Sequence, residues 1–143
     1  MSLSRRLASL LPICLLSAAA QQPQSQTIAD PDIGFSFAVP ANYQAQKQPF
    51  GYLLARQGVQ GMVLVIPIAE TAMPKLRELT EEGFLAGEAM QLRPTAAVRT
   101  LTPRSLGAEM SGTIQGMPVR AYSVTLAGGA QRSAYVLGAA PVA

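Results

Sequence analysis

The sequence predicts an α+β fold, in which a mostly antiparallel β-sheet carries one clear amphipathic helix at about residues 71–86. Three observations support this prediction. Short stretches of alternating apolar and small residues recur along the chain and end at glycine or proline, as strands do. One stretch has helical periodicity. The second half then alternates strands and turns, which is typical of an antiparallel meander.

The first twenty residues have the composition of an export signal. Two arginines open the segment, Leu7–Leu16 is mostly apolar, and Ala18–Ala20 forms a small-residue cleavage site. The apolar stretch contains Pro12 and is shorter than the roughly 20 residues that a membrane-spanning helix needs. We therefore predict a Sec-type signal peptide over residues 1–20, cleavage near Ala20, and export to the periplasm or the extracellular space.

Three other interpretations of this segment stay open. Cys14 would carry a lipid in a lipoprotein, although Ile13 is larger than the residue that normally precedes such a cysteine. Ser4–Arg6 resembles the start of a twin-arginine signal. An uncleaved segment would tether the domain to a membrane, and this is the only membrane contact that we predict.

Composition excludes several kinds of active site. The chain has 143 residues, no histidine and one cysteine, Cys14, which lies in the signal segment. The rest of the chain therefore has no His-based triad, Cys nucleophile, His/Cys zinc site or disulfide. The formal charge is +3, but loss of Arg5 and Arg6 leaves nine basic and eight acidic residues. This near-neutral balance predicts no nucleic-acid binding.

The residues after the signal predict one folded domain. Hydrophobic residues make up 49% and charged residues 13% of the sequence, which argues against disorder. Gln21–Gln26 is a polar tract, so we predict a flexible linker over residues 21–27 and a single domain over residues 28–143. Asp30–Asp32 contains a proline and predicts a turn.

Three strands are predicted in the first half of the domain. Ile33–Val39 alternates apolar and small residues, and Phe50–Arg56 follows as a second strand. Met62–Ile66 is continuously apolar, which is typical of a central strand that is buried on both faces. We expect Pro67 to end this strand because proline cannot donate a ladder hydrogen bond.

The helix is predicted over Thr71–Ala86, with Thr71 as the N-cap and Gly87 as the stop. One stripe at helical spacing is expected to face the sheet, namely Leu76, Leu79, Gly83 and Ala86. The charges of this segment oppose the helix dipole, since the basic residues come early and the glutamates late. Packing must therefore hold the helix.

The meander is predicted after the helix. Met90–Leu101 is broken by a proline and predicts an edge strand or an extended connection. Three alternating strands follow, Leu106–Ile114, Val119–Leu126 and Gln131–Ala139. A sheet with one helix leaves its other face bare. Either a second helix after Leu137 is missing because the domain is truncated, or a protein partner covers that face.

The order of these motifs resembles that of PsbP-like domains. Gly34–Tyr43 matches the opening of that family, with Tyr43 at the position where tryptophan is usual. Gly112–Pro118 matches a Gly-x-x-x-Gly-x-Pro stretch in its meander. The resemblance implies an exported α-β-α sandwich that acts as an accessory or binding module. It transfers no functional residue, because the matching positions are structural.

Carboxylates are the remaining candidates for catalysis or cation binding. Asp30 and Asp32 flank a proline and supply too few oxygens for a calcium loop, so we interpret them as a solvated turn. Three helix glutamates are interpreted as a solvated face, namely Glu78, Glu81 and Glu82. Glu109 lies in mid-strand, where an ion pair with Arg120 across the hairpin is favoured over a catalytic role.

Two functions are consistent with the sequence. The favoured one is a non-enzymatic accessory or protein-binding module of the bacterial cell envelope, with a protein partner and with no cofactor, metal or assigned catalytic residue. The alternative is a small carboxylate-dependent hydrolase or ligand-binding enzyme that uses Glu109 or the helix glutamates.

Overall fold

A computed structural model describes residues 25–129 and 132–143 of the chain. The predicted signal peptide and most of the predicted linker lie outside these residues. The helix is α1 (Met73–Glu82). The strands are β1 (Gln26–Asp30), β2 (Phe35–Val39), β3 (Gln44–Gln48), β4 (Gly51–Ala55), β5 (Met62–Ile68), β6 (Phe84–Ala86), β7 (Met90–Pro94), β8 (Arg99–Thr102), β9 (Ser105–Ile114), β10 (Met117–Leu126) and β11 (Ser133–Pro141).

Nine of these strands form one antiparallel sheet in the order β3-β4-β5-β11-β10-β9-β7-β6, with β8 also paired to β9. The long strands β9 and β10 are joined by the two-residue turn of Gln115 and Gly116, where φ is 51° and 76°. Positive φ at both positions is typical of a type I′ hairpin turn. The sheet curls into a half-barrel, so that its two ends face each other across a concave side.

The predicted α+β fold is wrong. Strands make up 58% of the structure and helix 9%, which is closer to an all-β fold than to the α-β-α sandwich of the PsbP-like resemblance. The prediction misses β1, which has Ile28 as its one large apolar residue, and β3, in which three of five residues are glutamine. They are held by ladder hydrogen bonds to β2 and β4, which periodicity of side chains does not reveal. Strand β1 begins inside the predicted linker.

The helix is shorter than predicted at both ends. Ala72, and not Thr71, is its N-cap, and it has no side-chain capping bond. Gly83 ends the helix with a φ of 92° and donates its N–H to the carbonyl oxygen of Leu79 at 3.3 Å. A side chain at Gly83 would collide with the carbonyl oxygen of Leu92. The last three predicted helical residues therefore form β6.

Only part of the predicted helical stripe faces the sheet. Leu76 is fully buried, whereas Leu79 is 41% exposed. The second buried position is Thr80, whose hydroxyl donates to the Leu76 carbonyl oxygen at 2.8 Å and lies 3.1 Å from the Thr125 hydroxyl. A threonine that satisfies its hydroxyl locally can be buried, and a search for apolar periodicity does not find it.

The predicted central strand is confirmed, but it continues through Pro67 to Ile68. The last pair between β4 and β5 joins Tyr52 to Val65. Pro67 is therefore paired with β11 alone, where a missing N–H breaks no second ladder. The three strands of the meander are confirmed as β9, β10 and β11.

Each face of the sheet has its own apolar cluster. The concave cluster contains Leu64, Ile66, Leu92, Ala108, Met110, Ile114, Val119, Tyr135, Leu137 and Ala139. The convex cluster contains Ile33, Val39, Tyr52, Leu54 and Val65. The hairpin of β1 and β2 closes the convex cluster. Part of the face that was expected to need a second helix is thus covered by residues that precede the main sheet.

Replacement of Leu76 by alanine should lower the free energy of unfolding by about 2–5 kcal/mol, because it leaves a cavity between helix and sheet. The matched change Leu79→Ala should cost about 1 kcal/mol or less, since that side chain is partly in water. Urea unfolding of both variants measures the difference. Equal losses would show that both leucines face the sheet.

Candidate functional site

The concave side of the sheet holds an apolar cavity of about 450 Å³. Ten apolar residues from both ends of the sheet line it, namely Phe50, Leu53, Met62, Leu64, Ile66, Phe84, Ala86, Ala89, Met90 and Ile114. Among the described residues of the lining, Gln48 and Gln115 alone are polar, and none is charged. Small-molecule sites in proteins span roughly 300–1,000 Å³ and are mostly apolar. The cavity therefore has the size and chemistry of a ligand site.

The wall of this concave cavity combines a fixed part and an adaptable part. The ring of Phe84 stacks on that of Tyr135, with 5.6 Å between centroids and 25° between planes. Tyr135 donates its hydroxyl to the sulfur of Met110 at 3.4 Å, and burial raises the pKa of its phenol. Met62 and Met90 are unbranched and polarisable, so they adjust to the shape of an occupant.

None of the buried serines and threonines of the described residues lines the concave cavity, and one pair of them, Thr80 and Thr125, joins α1 to the sheet. The buried residues of this type are Thr80, Ser105, Ser123, Thr125 and Ser133. Ser123 and Thr125 face the core from β10, while Tyr122 and Leu126 of the same strand face the convex side. Within the described residues, Ser123 Oγ is the one buried side-chain polar atom without a hydrogen-bond partner.

A charged cluster ties the hairpin of β1 and β2 to the main sheet. Lys47 Nζ lies 2.7 Å from Asp30 Oδ2 and 3.0 Å from Asp32 Oδ2. The hydroxyl of Tyr52 donates to Asp30 Oδ2 at 2.6 Å. The hydrogen bond from Lys47, then that from Tyr52, lowers the pKa of Asp30 to about 2, and the same contacts raise the pKa of Lys47 and of Tyr52.

The predicted turn around Asp30–Asp32 is confirmed, but its interpretation as simply solvated is wrong for Asp30. Its side chain is 11% exposed, whereas that of Asp32 is 78% exposed. Lys47 comes from β3 and Tyr52 from β4. No local sequence signal links these residues to the turn, because β3 itself was not predicted.

The predicted ion pair between Glu109 and Arg120 is wrong. The β9–β10 register places Glu109 opposite Tyr122 and Arg120 opposite Ser111, so the two charges are diagonal neighbours. Neither residue takes part in an ion pair among the described part of the chain. Both line an open hollow on the convex face, next to Tyr122.

The helix glutamates lie on the exposed face of α1, as predicted. Glu78 pairs with Lys75 at 2.7 Å, and Glu81 lies 3.9 Å from Arg77. None of the helix glutamates lines the concave cavity. Across residues 25–129 and 132–143, no three acidic, histidine or cysteine side chains are grouped to hold a metal ion. In the same residues, no helix has the length and apolar character to cross a membrane.

Sequence reasoning assigned no site residue and missed the concave cavity. Phe84 falls within the predicted helix, and Met90 falls within the predicted edge strand or extended connection. Phe50 was assigned to a strand with no indication that the two ends of the sheet meet. These residues come together through the curl of the sheet, which has no signature in local periodicity.

Comparison with known proteins finds no relative. No family model, no curated protein and no solved structure matches the chain. The PsbP-like resemblance therefore stays a prediction.

The ionised Asp30 should stabilise the fold above about pH 4, because its folded pKa of about 2 lies below the unfolded value of 3.8. This contribution is lost as the pH falls toward 2. Asp30→Asn should lower the melting temperature at neutral pH. It should also make the melting temperature fall less steeply as the pH is lowered. Asp32→Asn is the matched control and should do so less, since Asp32 is more exposed. Identical acid profiles in wild type and Asp30→Asn would contradict the prediction.

Proposed function

We propose that this domain is a non-enzymatic binding module that holds an apolar small molecule in its concave cavity. The observation that carries the proposal is the uncharged lining of a cavity of about 450 Å³ between the two ends of the sheet. Protein interiors are normally filled by their own side chains. The apolar atoms that line an unfilled space lose dispersion contacts, and an apolar occupant would restore them.

The lining also favours one class of ligand. A charged group in this cavity would lose its hydration and find no charged partner, which is costly. Gln48 ends β3 and Gln115 lies in the β9–β10 turn, so both amides lie at ends of strands. They offer hydrogen bonds to one neutral polar group of a ligand. The favoured ligand is therefore apolar and neutral, with at most a hydroxyl, ester or amide near these glutamines.

The same lining supports a binding role over a catalytic one. Its polar side chains are two amides, which serve neither as nucleophiles nor as general acids or bases. Glu109 lies on the convex face, away from the lining. The export pattern of residues 1–20 supports a setting in the cell envelope.

A protein partner on the convex face is the second candidate function. Leu101, Tyr122 and Leu126 are 44–47% exposed. The side chains of Leu101 and Tyr122 both lie over Gly107, where a Cβ atom would touch them. We call these three exposed side chains the convex patch. Contiguous exposed apolar groups mark interaction sites, and the convex patch would fit an apolar strip on a partner.

Binding of N-phenylnaphthylamine, an uncharged apolar dye, tests the cavity. Wild type should enhance its fluorescence. Ala86→Trp places an indole in the lining and should weaken dye binding by about tenfold or more, equivalent to about 1.4 kcal/mol. Leu85→Trp is the matched control, because neighbouring residues of a strand point to opposite faces. Absence of dye binding, or equal affinity in the two folded variants, would contradict the proposal.

A photo-crosslinking residue at Leu101 tests the convex patch in the native host. A discrete adduct, identified by mass spectrometry, should form at Leu101 and not at the slightly more exposed Leu85 on β6. The comparison of the two positions excludes adducts that form at any exposed residue. The same adducts at both positions, or none at Leu101, would argue against a partner at this patch.

A further inference from the structure

A second apolar cavity, of about 360 Å³, lies on the convex side between the β1–β2 hairpin and the main sheet. We call it the hairpin groove. Its floor consists of Leu54, Val63, Val65, Ala134 and Val136. Phe35 and Phe37 of β2 line its other side, with Leu126 of β10 beside them. The hairpin belongs to a separate two-stranded sheet, so it meets the floor through side chains and not through ladder hydrogen bonds.

Arg132 is the one charged residue among the described lining of this groove. It precedes β11, and Ala134 and Val136 follow at alternate positions, which places all three on one face of the chain. Its guanidinium donates to the carbonyl oxygen of Asp32 in the hairpin turn. The arginine therefore lies at one end of an apolar channel and bridges its two walls.

A second arginine adds positive charge at the same end of the hairpin groove. Arg104 donates to the carbonyl oxygen of Ala127 at 3.1 Å, and Ala127 is itself part of the lining. The carboxylates of the nearby turn, Asp30 and Asp32, are both bound by Lys47. The groove thus has an apolar body and a cationic end.

We propose that the hairpin groove is a second binding site, for a single-chain anionic amphiphile such as a fatty carboxylate. The acyl chain lies along the apolar floor, and the carboxylate accepts hydrogen bonds from Arg132. A planar guanidinium matches a carboxylate with two parallel hydrogen bonds. The charged end distinguishes this site from the concave cavity, whose lining favours a neutral ligand.

Calorimetric titration of the full chain with decanoate and with decanol tests the proposal. Decanoate should bind about tenfold or more tightly than decanol, because the guanidinium makes charge-assisted hydrogen bonds to a carboxylate that it cannot make to a hydroxyl group. Added salt should weaken decanoate binding and leave decanol binding unchanged. Arg132→Gln should remove the preference for decanoate, and Arg132→Lys should restore part of it.

Two further variants leave the hydrogen bond between Arg132 and the Asp32 carbonyl oxygen in place. Arg93→Gln removes the same charge from an exposed position of β7, outside the lining, and should leave both affinities unchanged. Ala134→Phe fills the groove without altering Arg132 and should weaken both amphiphiles, while dye binding in the concave cavity persists. If Arg132→Gln does not fold, Ala134→Phe decides the question.

Three results would overturn the proposal. The first is no decanoate binding by wild type, and the second is equal affinity for decanoate and decanol. The third is loss of decanoate binding in Ala86→Trp but not in Ala134→Phe, which would place the chain in the concave cavity. A failure of the dye experiment leaves these outcomes untouched, because the two sites lie on opposite faces of the sheet.

Discussion

The burial of both faces of one large sheet is the constraint on which the structure depends. The nine-stranded sheet carries an apolar cluster on each face, and a single helix of ten residues is the helical cover in the described chain. A sheet that exposes such faces loses the stabilisation of apolar burial. The concave face is closed by the curl of the sheet and by α1, and the convex face by the β1–β2 hairpin. The concave cavity and the hairpin groove are the spaces that these two solutions leave.

The hairpin is held by a mixture of apolar contact and charge. Phe37 packs edge-on against Tyr52, with ring centroids 5.4 Å apart, and the hydroxyl of Tyr52 reaches Asp30. Arg132 adds a bond from the other side of the groove. One tyrosine thus belongs to the core and to the polar tie at once. The position of the hairpin, and so the width of the groove, depends on groups that titrate.

The sequence predicts those elements whose stability comes from burial of their own side chains. Met62–Ile66 of β5 and the strands of the meander are predicted in this way. The sequence does not predict Gln44–Gln48, which is held by its neighbours' backbone, or the true helix end at Gly83, which is set by the carbonyl of Leu92. The cavities cannot be predicted from local sequence periodicity either, because their walls come from strands that are distant in sequence and depend on the curl of the sheet.

The two cavities differ in one physical property, the charge of their lining, and this difference separates their ligands. Desolvation of a carboxylate opposes its entry into the uncharged concave cavity. In the hairpin groove, Arg132 offsets that cost at one end. The floor of the groove is apolar, as is the lining of the concave cavity. A neutral and an anionic amphiphile would therefore divide between the two faces. Since Val63 lines the groove and Leu64 the concave cavity, adjacent residues of β5 carry the two sites, one on each face of the strand.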